Sequence, residues 1–212
     1  MKDKKEIAEI IKTHQKIRGQ LEKKLDEFEK IGLELNKNEI LKELCFCLLT
    51  PQSRAEVCWN CVVKTYKILN DEKTDCSVLE GLLRGVRFYK TKAKRLLEAK
   101  LKINQVIEML VSAKTAEEKR NWLVQNVSGL GMKEATHFLR NIGMSEDLAI
   151  LDRHILRKLE KIGVIKNIPA SLTQKKYLKI EKKIQQFSKK IGIPVSHLDF
   201  VFWYQETGRI FK

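Results

Sequence analysis

A lysine that follows a pair of glycines by two residues is the feature with the clearest chemical potential in this chain. In LVQNVSGLGMKEATHFL, residues 123–139, one helix is expected to end near Val127. The chain then turns through Ser128, Gly129, Leu130 and Gly131, and a second helix begins around Met132. Glycines supply backbone angles that other residues resist, so both Gly129 and Gly131 are expected to shape the turn. A glycine turn ahead of a helix aims unpaired N–H groups and a partial positive charge at whatever lies before it, which makes a phosphate-binding corner. Lys133 stands in the first turn of that second helix. A helix N-terminus disfavours positive charge, and an amine must be uncharged to attack carbon, so the position suits a nucleophile. The plain alternative is a surface lysine, since the chain holds 32 of them.

Nineteen residues further on stands Asp152, in the run Ile150, Leu151, Asp152, Arg153, His154, Ile155. An apolar stretch leads straight into a carboxylate, which then opens a basic helix carrying Arg153, Arg157 and Lys158. As a helix cap the carboxylate would hold backbone N–H groups, and capping leaves a second oxygen for chemistry.

The elements that must place these groups are helical almost throughout. Apolar positions at Ile7, Ile10, Ile11, Ile17, Leu21, Leu25 and Phe28 predict a helix over residues 3–30, with Gly32 stopping it. A strongly apolar helix is expected from about Asn38 to Leu49, ahead of Pro51, and a longer one over 91–111. Ser53 with Glu56, Ser77 with Glu80, Thr115 with Glu118 and Ser171 with Gln174 have capping-box spacing, predicting helix starts near 54, 78, 116 and 172. No run shows sustained period-two alternation, so the fold class is all-α, with ten or so helices.

Composition narrows the partners. Lys and Arg number 42 against 27 acids in 212 residues, a net charge of +15, which attracts polyanions such as nucleic acid. A lysine-rich solvated surface would give the same sum. The opening MKDKKEIAEIIK has no apolar segment for a signal peptidase, and no stretch is long enough to span a bilayer, so a cytoplasmic protein without a membrane partner is expected. Cys45, Cys47, Cys58, Cys61 and Cys76 read as buried thiols rather than a metal site. Cys45 and Cys47 stand two apart on a helix and point to nearly opposite sides. Cys58 and Cys61 share a helix face, as packing residues would. His14, His137, His154 and His197 show no metal-ligand spacing and read as structural.

The hairpin glycines, Lys133 and Asp152 at this separation resemble the helix-hairpin-helix DNA glycosylase superfamily. That resemblance implies base excision: the lysine attacks C1′ of a damaged nucleotide, displaces the base, forms a Schiff base with the sugar and permits β-elimination. The aspartate would activate the attack or stabilise the positive charge that develops on the sugar. Relatives often place Gly and Pro in the loop before the aspartate, where this chain has Met144, Ser145, Glu146 and Asp147. No cysteine follows Cys76, so the iron–sulfur loop of the endonuclease III branch cannot form and no cofactor is expected.

The chain length and a lysine at the last position, Lys212, resemble the second, mainly archaeal family of 8-oxoguanine glycosylases. The resemblance implies that Lys212 lies at the base pocket and helps to tell 8-oxoguanine from guanine. Trp203 and Phe88 are the candidates for stacking on a flipped base. Gln52, in the loop Leu49, Thr50, Pro51, Gln52, Ser53, Arg54, is the candidate to enter the vacated space. Arg54 would stand beside it for the opposite base or a phosphate. The group Lys90, Lys92, Lys94 and Arg95 and the lysines between 175 and 190 either follow DNA or form solvated faces. The implied architecture is a central helical domain over 32–133 and a second built from 1–31 and 134–212, with DNA in the cleft between them. The expected partner is double-stranded DNA with a damaged base, and a monomer is expected. An oxidised-pyrimidine glycosylase and a non-catalytic hairpin module remain the rival readings.

Overall fold

The computed structural model describes residues 4–69, 71, 74–145 and 147–212. Among them are ten α-helices and no strand. They are α1 (Lys4–Glu34), α2 (Lys37–Leu49), α3 (Ala55–Leu69), α4 (Cys76–Leu82), α5 (Tyr89–Ser112), α6 (Ala116–Asn126), α7 (Met132–Asn141), α8 (Arg153–Lys161), α9 (Gln174–Ile191) and α10 (Val195–Thr207). Residue 3, where the first helix was expected to begin, and Glu146 lie outside the described residues.

Gly32 does not stop α1, which continues to Glu34. Its role is close approach: a β-carbon there would stand 2.1 Å from the carbonyl oxygen of Ile142. Glycine lets the last turns of the helix lie against the end of α7, where any side chain would collide with backbone.

Of the four expected capping boxes, only Thr115 with Glu118 forms, closing the start of α6 from both sides. Asp75 rather than Ser77 caps α4, accepting from the N–H groups of Ser77 and Val78, because an ionised carboxylate outcompetes a hydroxyl. Thr173 caps α9 in place of Ser171, accepting from the Lys176 N–H. The Ser53 hydroxyl is engaged elsewhere, with the backbone N–H of Arg87 and the Lys92 ammonium.

Contacts divide the chain into two units. One combines the chain up to Phe28 with Ser145–Lys212. In it α8 and α9 pack on α10, burying residues such as Leu156, Leu159, Ile184, Leu198 and Val201. The other is Glu29–Met144, with α2 at its centre against α3, α5 and α7. The second half of α2 is apolar on every side, and Leu44, Phe46, Leu48 and Leu49 are all fully buried. The divisions fall at 28 and 144 rather than at the expected 31 and 133. Helix α7 groups with the second unit because Ala135, Phe138 and Leu139 pack it onto α6 and α2.

Candidate active site

Helix α6 ends with the Val127 N–H donating to the Leu123 carbonyl, and the Leu130 N–H donates to Val127 across the turn. Gly129 takes φ +95°, a conformation that a side chain resists. Leu130, 5% exposed, fills the space under the turn. Gly131 differs from the expectation, because its φ of −97° is open to any residue. What the glycine contributes there is bareness. It is the N-cap of α7, has no side chain to hold the first N–H groups, and is exposed. The start of α7 therefore presents backbone donors and the positive end of the helix dipole together, an arrangement that accepts an anion. Arg95 of α5 lies against this turn, its Cδ 2.6 Å from where a β-carbon on Gly129 would stand.

Lys133 follows in the first turn of α7 and is half-buried. No hydrogen bond or ion pair among the described residues holds its ammonium. It stands near Cys47 and Cys58, where its charge favours the thiolates but is outweighed by burial, which pushes the Cys58 thiol up to about 11. Among the described residues it has no ion-pair partner, and an amine so placed near a helix N-terminus has the chemistry of a nucleophile.

The loop between α2 and α3 presents Gln52 with φ +57°, an uncommon conformation for a residue with a side chain and one that costs about 1–3 kcal/mol. Both Gln52 and Arg54 are exposed. Beneath them sits Lys92, 1% exposed, whose ammonium donates to the carbonyls of Leu49 and Pro51 at 2.7 Å and to the Ser53 hydroxyl at 3.2 Å. Burial lowers its pKa from the ordinary lysine value, Cys58 and Glu134 opposing and Arg95 adding to the effect. The expectation that Lys92 runs with Lys90, Lys94 and Arg95 along a charged face is thus corrected. Two residues from either neighbour on a helix, Lys92 points the other way, into the core. Phe88, at the head of α5, also has a positive φ, +59°, and its ring is 54% exposed under the Arg87 guanidinium at 4.9 Å.

In the other unit, Asp152 caps α8, its carboxylate accepting from the Ile155 N–H at 2.8 Å. The segment leading to it is braced by α9. The Glu181 carboxylate accepts from the Ala149 N–H at 2.9 Å, the Tyr177 hydroxyl donates to the Ala149 carbonyl, and the Leu151 N–H donates to that hydroxyl at 3.3 Å. Glu181 and Tyr177 are buried. In the first turn of α8, His154 pairs with Glu206 at 2.7 Å and meets Trp203 edge to face, the ring centroids 6.4 Å apart. The Lys212 ammonium lies 5.7 Å from the centre of the Phe28 ring.

One unit thus gathers Gly129, Gly131, Lys133, Gln52, Arg54 and Phe88, and the other holds Asp152, Trp203 and Lys212. Sequence reasoning set Lys92 among its charged neighbours and missed Tyr177 and Glu181; His154, read as structural, meets Trp203 edge to face. The four-residue spacing of Tyr177 and Glu181, on the same face as Ile180 and Ile184, was the available signal for the brace. The five cysteines are free thiols, four of them buried, and no group of three or more metal-ligating side chains occurs among the described residues.

An all-α chain whose glycine turn joins α6 to α7, with a lysine in the following turn, is a helix-hairpin-helix protein. The family model described as 8-oxoguanine DNA glycosylase, Ogg-HhH, matches residues 21–193, and the chain belongs to that family. It is 39% identical to an 8-oxoguanine DNA glycosylase/AP lyase of Fusobacterium nucleatum, over 100% of both chains. A Methanocaldococcus jannaschii protein of the same name is 36% identical, over 98% of each chain. Among solved structures, the 8-oxoguanine DNA glycosylase of Thermotoga maritima superposes with a TM-score of 0.89 at 30% identity, covering 97% of this chain and 98% of that one. The Methanocaldococcus jannaschii enzyme in complex with a 15mer DNA containing 8-oxoguanine gives 0.85 at 34% identity, covering 97% and 99%.

Proposed function

We infer that this chain removes 8-oxoguanine from DNA and then cleaves the strand at the abasic site it has made. The observation that carries this reading is Lys133, in no ion pair among the described residues, in the first turn of a helix that begins at a glycine with no capping side chain. The family relatives that bear this activity in their names, and a net charge of +15, support the same substrate class.

In the proposed reaction the neutral Lys133 amine attacks C1′ of the damaged nucleotide, and the N-glycosidic bond breaks as the base departs and takes up a proton. The sugar ring opens to an imine between Nζ and C1′. Loss of a proton from C2′ then expels the 3′ phosphate by β-elimination, and water later releases the amine. Asp152 supplies the fixed negative charge that stabilises the positive charge developing on the sugar. Trp203 and Phe88 provide planar surfaces for the extruded base, and Lys212 reads it. Gln52 enters the vacated stack, Arg54 contacts the opposite base or a phosphate, and the Gly129–Gly131 turn holds the backbone. No step requires a cofactor, and a cytoplasmic monomer on double-stranded DNA suffices for it.

Borohydride trapping tests the reading. A duplex containing 8-oxoguanine should give a covalent protein–DNA adduct that disappears in Lys133→Gln. An adduct that persists in the variant would put the nucleophile elsewhere. Binding without turnover or adduct would make the protein a docking module, and a preference for thymine glycol would move the activity to oxidised pyrimidines.

A further inference from the structure

A buried, charged side chain that pairs with no carboxylate is unusual, since taking an ammonium out of water is costly. Among the described residues, Lys92 is such a group. It has three donors and all three are spent on one loop: the carbonyls of Leu49 and Pro51 at 2.7 Å and the Ser53 hydroxyl at 3.2 Å. The Leu49 carbonyl, at the end of α2, also accepts from the Cys58 thiol. Ser53 in turn accepts from the Arg87 N–H at 3.0 Å, which ties the loop to the residue before Phe88. The two segments joined in this way each contain a non-glycine residue at positive φ with an exposed side chain, Gln52 and Phe88. A methionine would fill the space and leave the core apolar. What only an ammonium can do is hold both carbonyls and the hydroxyl at one point.

We propose that Lys92 is a positioning residue, which locks the 49–53 loop and, through Ser53, the backbone at Arg87, so that Gln52 and Phe88 are presented to DNA before it binds. The proposal rests on Gln52 acting in the vacated stack. Its order in the reaction precedes the chemistry of Lys133, and it makes no contact with the substrate.

The test is a double-mutant cycle on a duplex containing 8-oxoguanine, read as single-turnover base release by wild type, Lys92→Met, Gln52→Ala and the double variant. Lys92→Met should slow release about tenfold in the wild-type background and less than about threefold in the Gln52→Ala background, since the loop then has little left to present. Equal losses in both backgrounds would overturn the proposal, because a general loss of stability costs both alike. An unchanged rate in Lys92→Met would overturn it as well. Should Lys92→Met not fold, Ser53→Ala keeps both carbonyl bonds and removes the hydroxyl that joins Lys92 to Arg87. It should slow release by about threefold in the wild-type background and not in Phe88→Ala, and additive losses there would overturn the proposal. Wild-type protein inactive on this duplex would instead sink the assignment of the substrate.

Discussion

The side chain of Arg95 lies across Gly129, so close that a β-carbon on the glycine would stand 2.6 Å from Cδ and 2.8 Å from Nε. The hairpin turn is thereby backed by a cation from another helix. The glycine is required twice over, for its φ of +95° and for that contact.

Gly129→Ala should accordingly distort the turn, at a cost of about 1–3 kcal/mol from backbone strain. Its affinity for a duplex containing an abasic-site analogue should drop by about tenfold, with most of the thermal stability kept. Adding Arg95→Ala removes the collision but not the strain, so recovery should be partial. Wild-type affinity in Gly129→Ala would show that the turn does not hold DNA.

Asp152 has a structural duty and a proposed chemical one, and two substitutions separate them. Asparagine caps a helix about as well as aspartate, so Asp152→Asn should melt within a few degrees of wild type, whereas Asp152→Ala should lose about 1 kcal/mol. Both should lose base-release rate by well over about tenfold, or about 1.4 kcal/mol of barrier, with DNA affinity retained. A smaller loss in the asparagine variant would leave the carboxylate only its capping role.

Gly32→Ala should be among the most damaging small changes in the chain. The 2.1 Å approach to the Ile142 carbonyl is to backbone, which cannot rotate away, so the end of α1 or of α7 must shift. A loss of about 1–3 kcal/mol is expected in urea denaturation. A midpoint unchanged from wild type would contradict the packing described.

Acid should weaken the fold before its carboxylates titrate. The Nε2 of His14 and the Nδ1 of His197 lie 3.0 Å apart, and burial lowers both pKa values, that of His197 to about 4 from 6.5. Arg18 pushes both in the same direction and the His14 ring adds to the effect at His197, while Glu22 opposes it. Between these values the unfolded chain binds protons that the folded pair refuses. Stability is therefore intact above 6.5 and falls as the pH drops toward 4. Allowing for partial solvent screening, the loss is on the order of 1–2 kcal/mol. Denaturation midpoints compared at pH 7.5 and 5 should show it, and His197→Asn should flatten the difference. Glu6, held below the ordinary carboxylate value of 4.5 by Lys158 and Lys161, contributes only at lower pH.

Much of the hairpin was legible because its signals are local. Two glycines, an apolar residue between them and a capping box at the start of α6 all lie within a short stretch of chain. The same holds for Asp152 at the head of α8. The misreadings have distant causes. Gly32 looks like a helix breaker until Ile142 is brought against it, and Ser53 looks like a cap until Arg87 and Lys92 claim its hydroxyl. At Ser77 the misreading is local, because the stronger acceptor Asp75 stands two residues away. Lys92 could have been separated from its charged neighbours by helical spacing alone, but its three acceptors come from a loop some forty residues earlier in the chain.

The guarded thiols carry a further consequence for an enzyme that meets oxidative damage. Peroxide attacks thiolates, and burial holds Cys45 to a pKa of about 12 and Cys58 to about 11, with Cys47 and Cys61 raised as well. Even the half-exposed Cys76 is kept protonated by burial and by Glu80. The sulfurs are thus poor targets for the same reagents that oxidise guanine, and the protein can stay in service during the stress that creates its work.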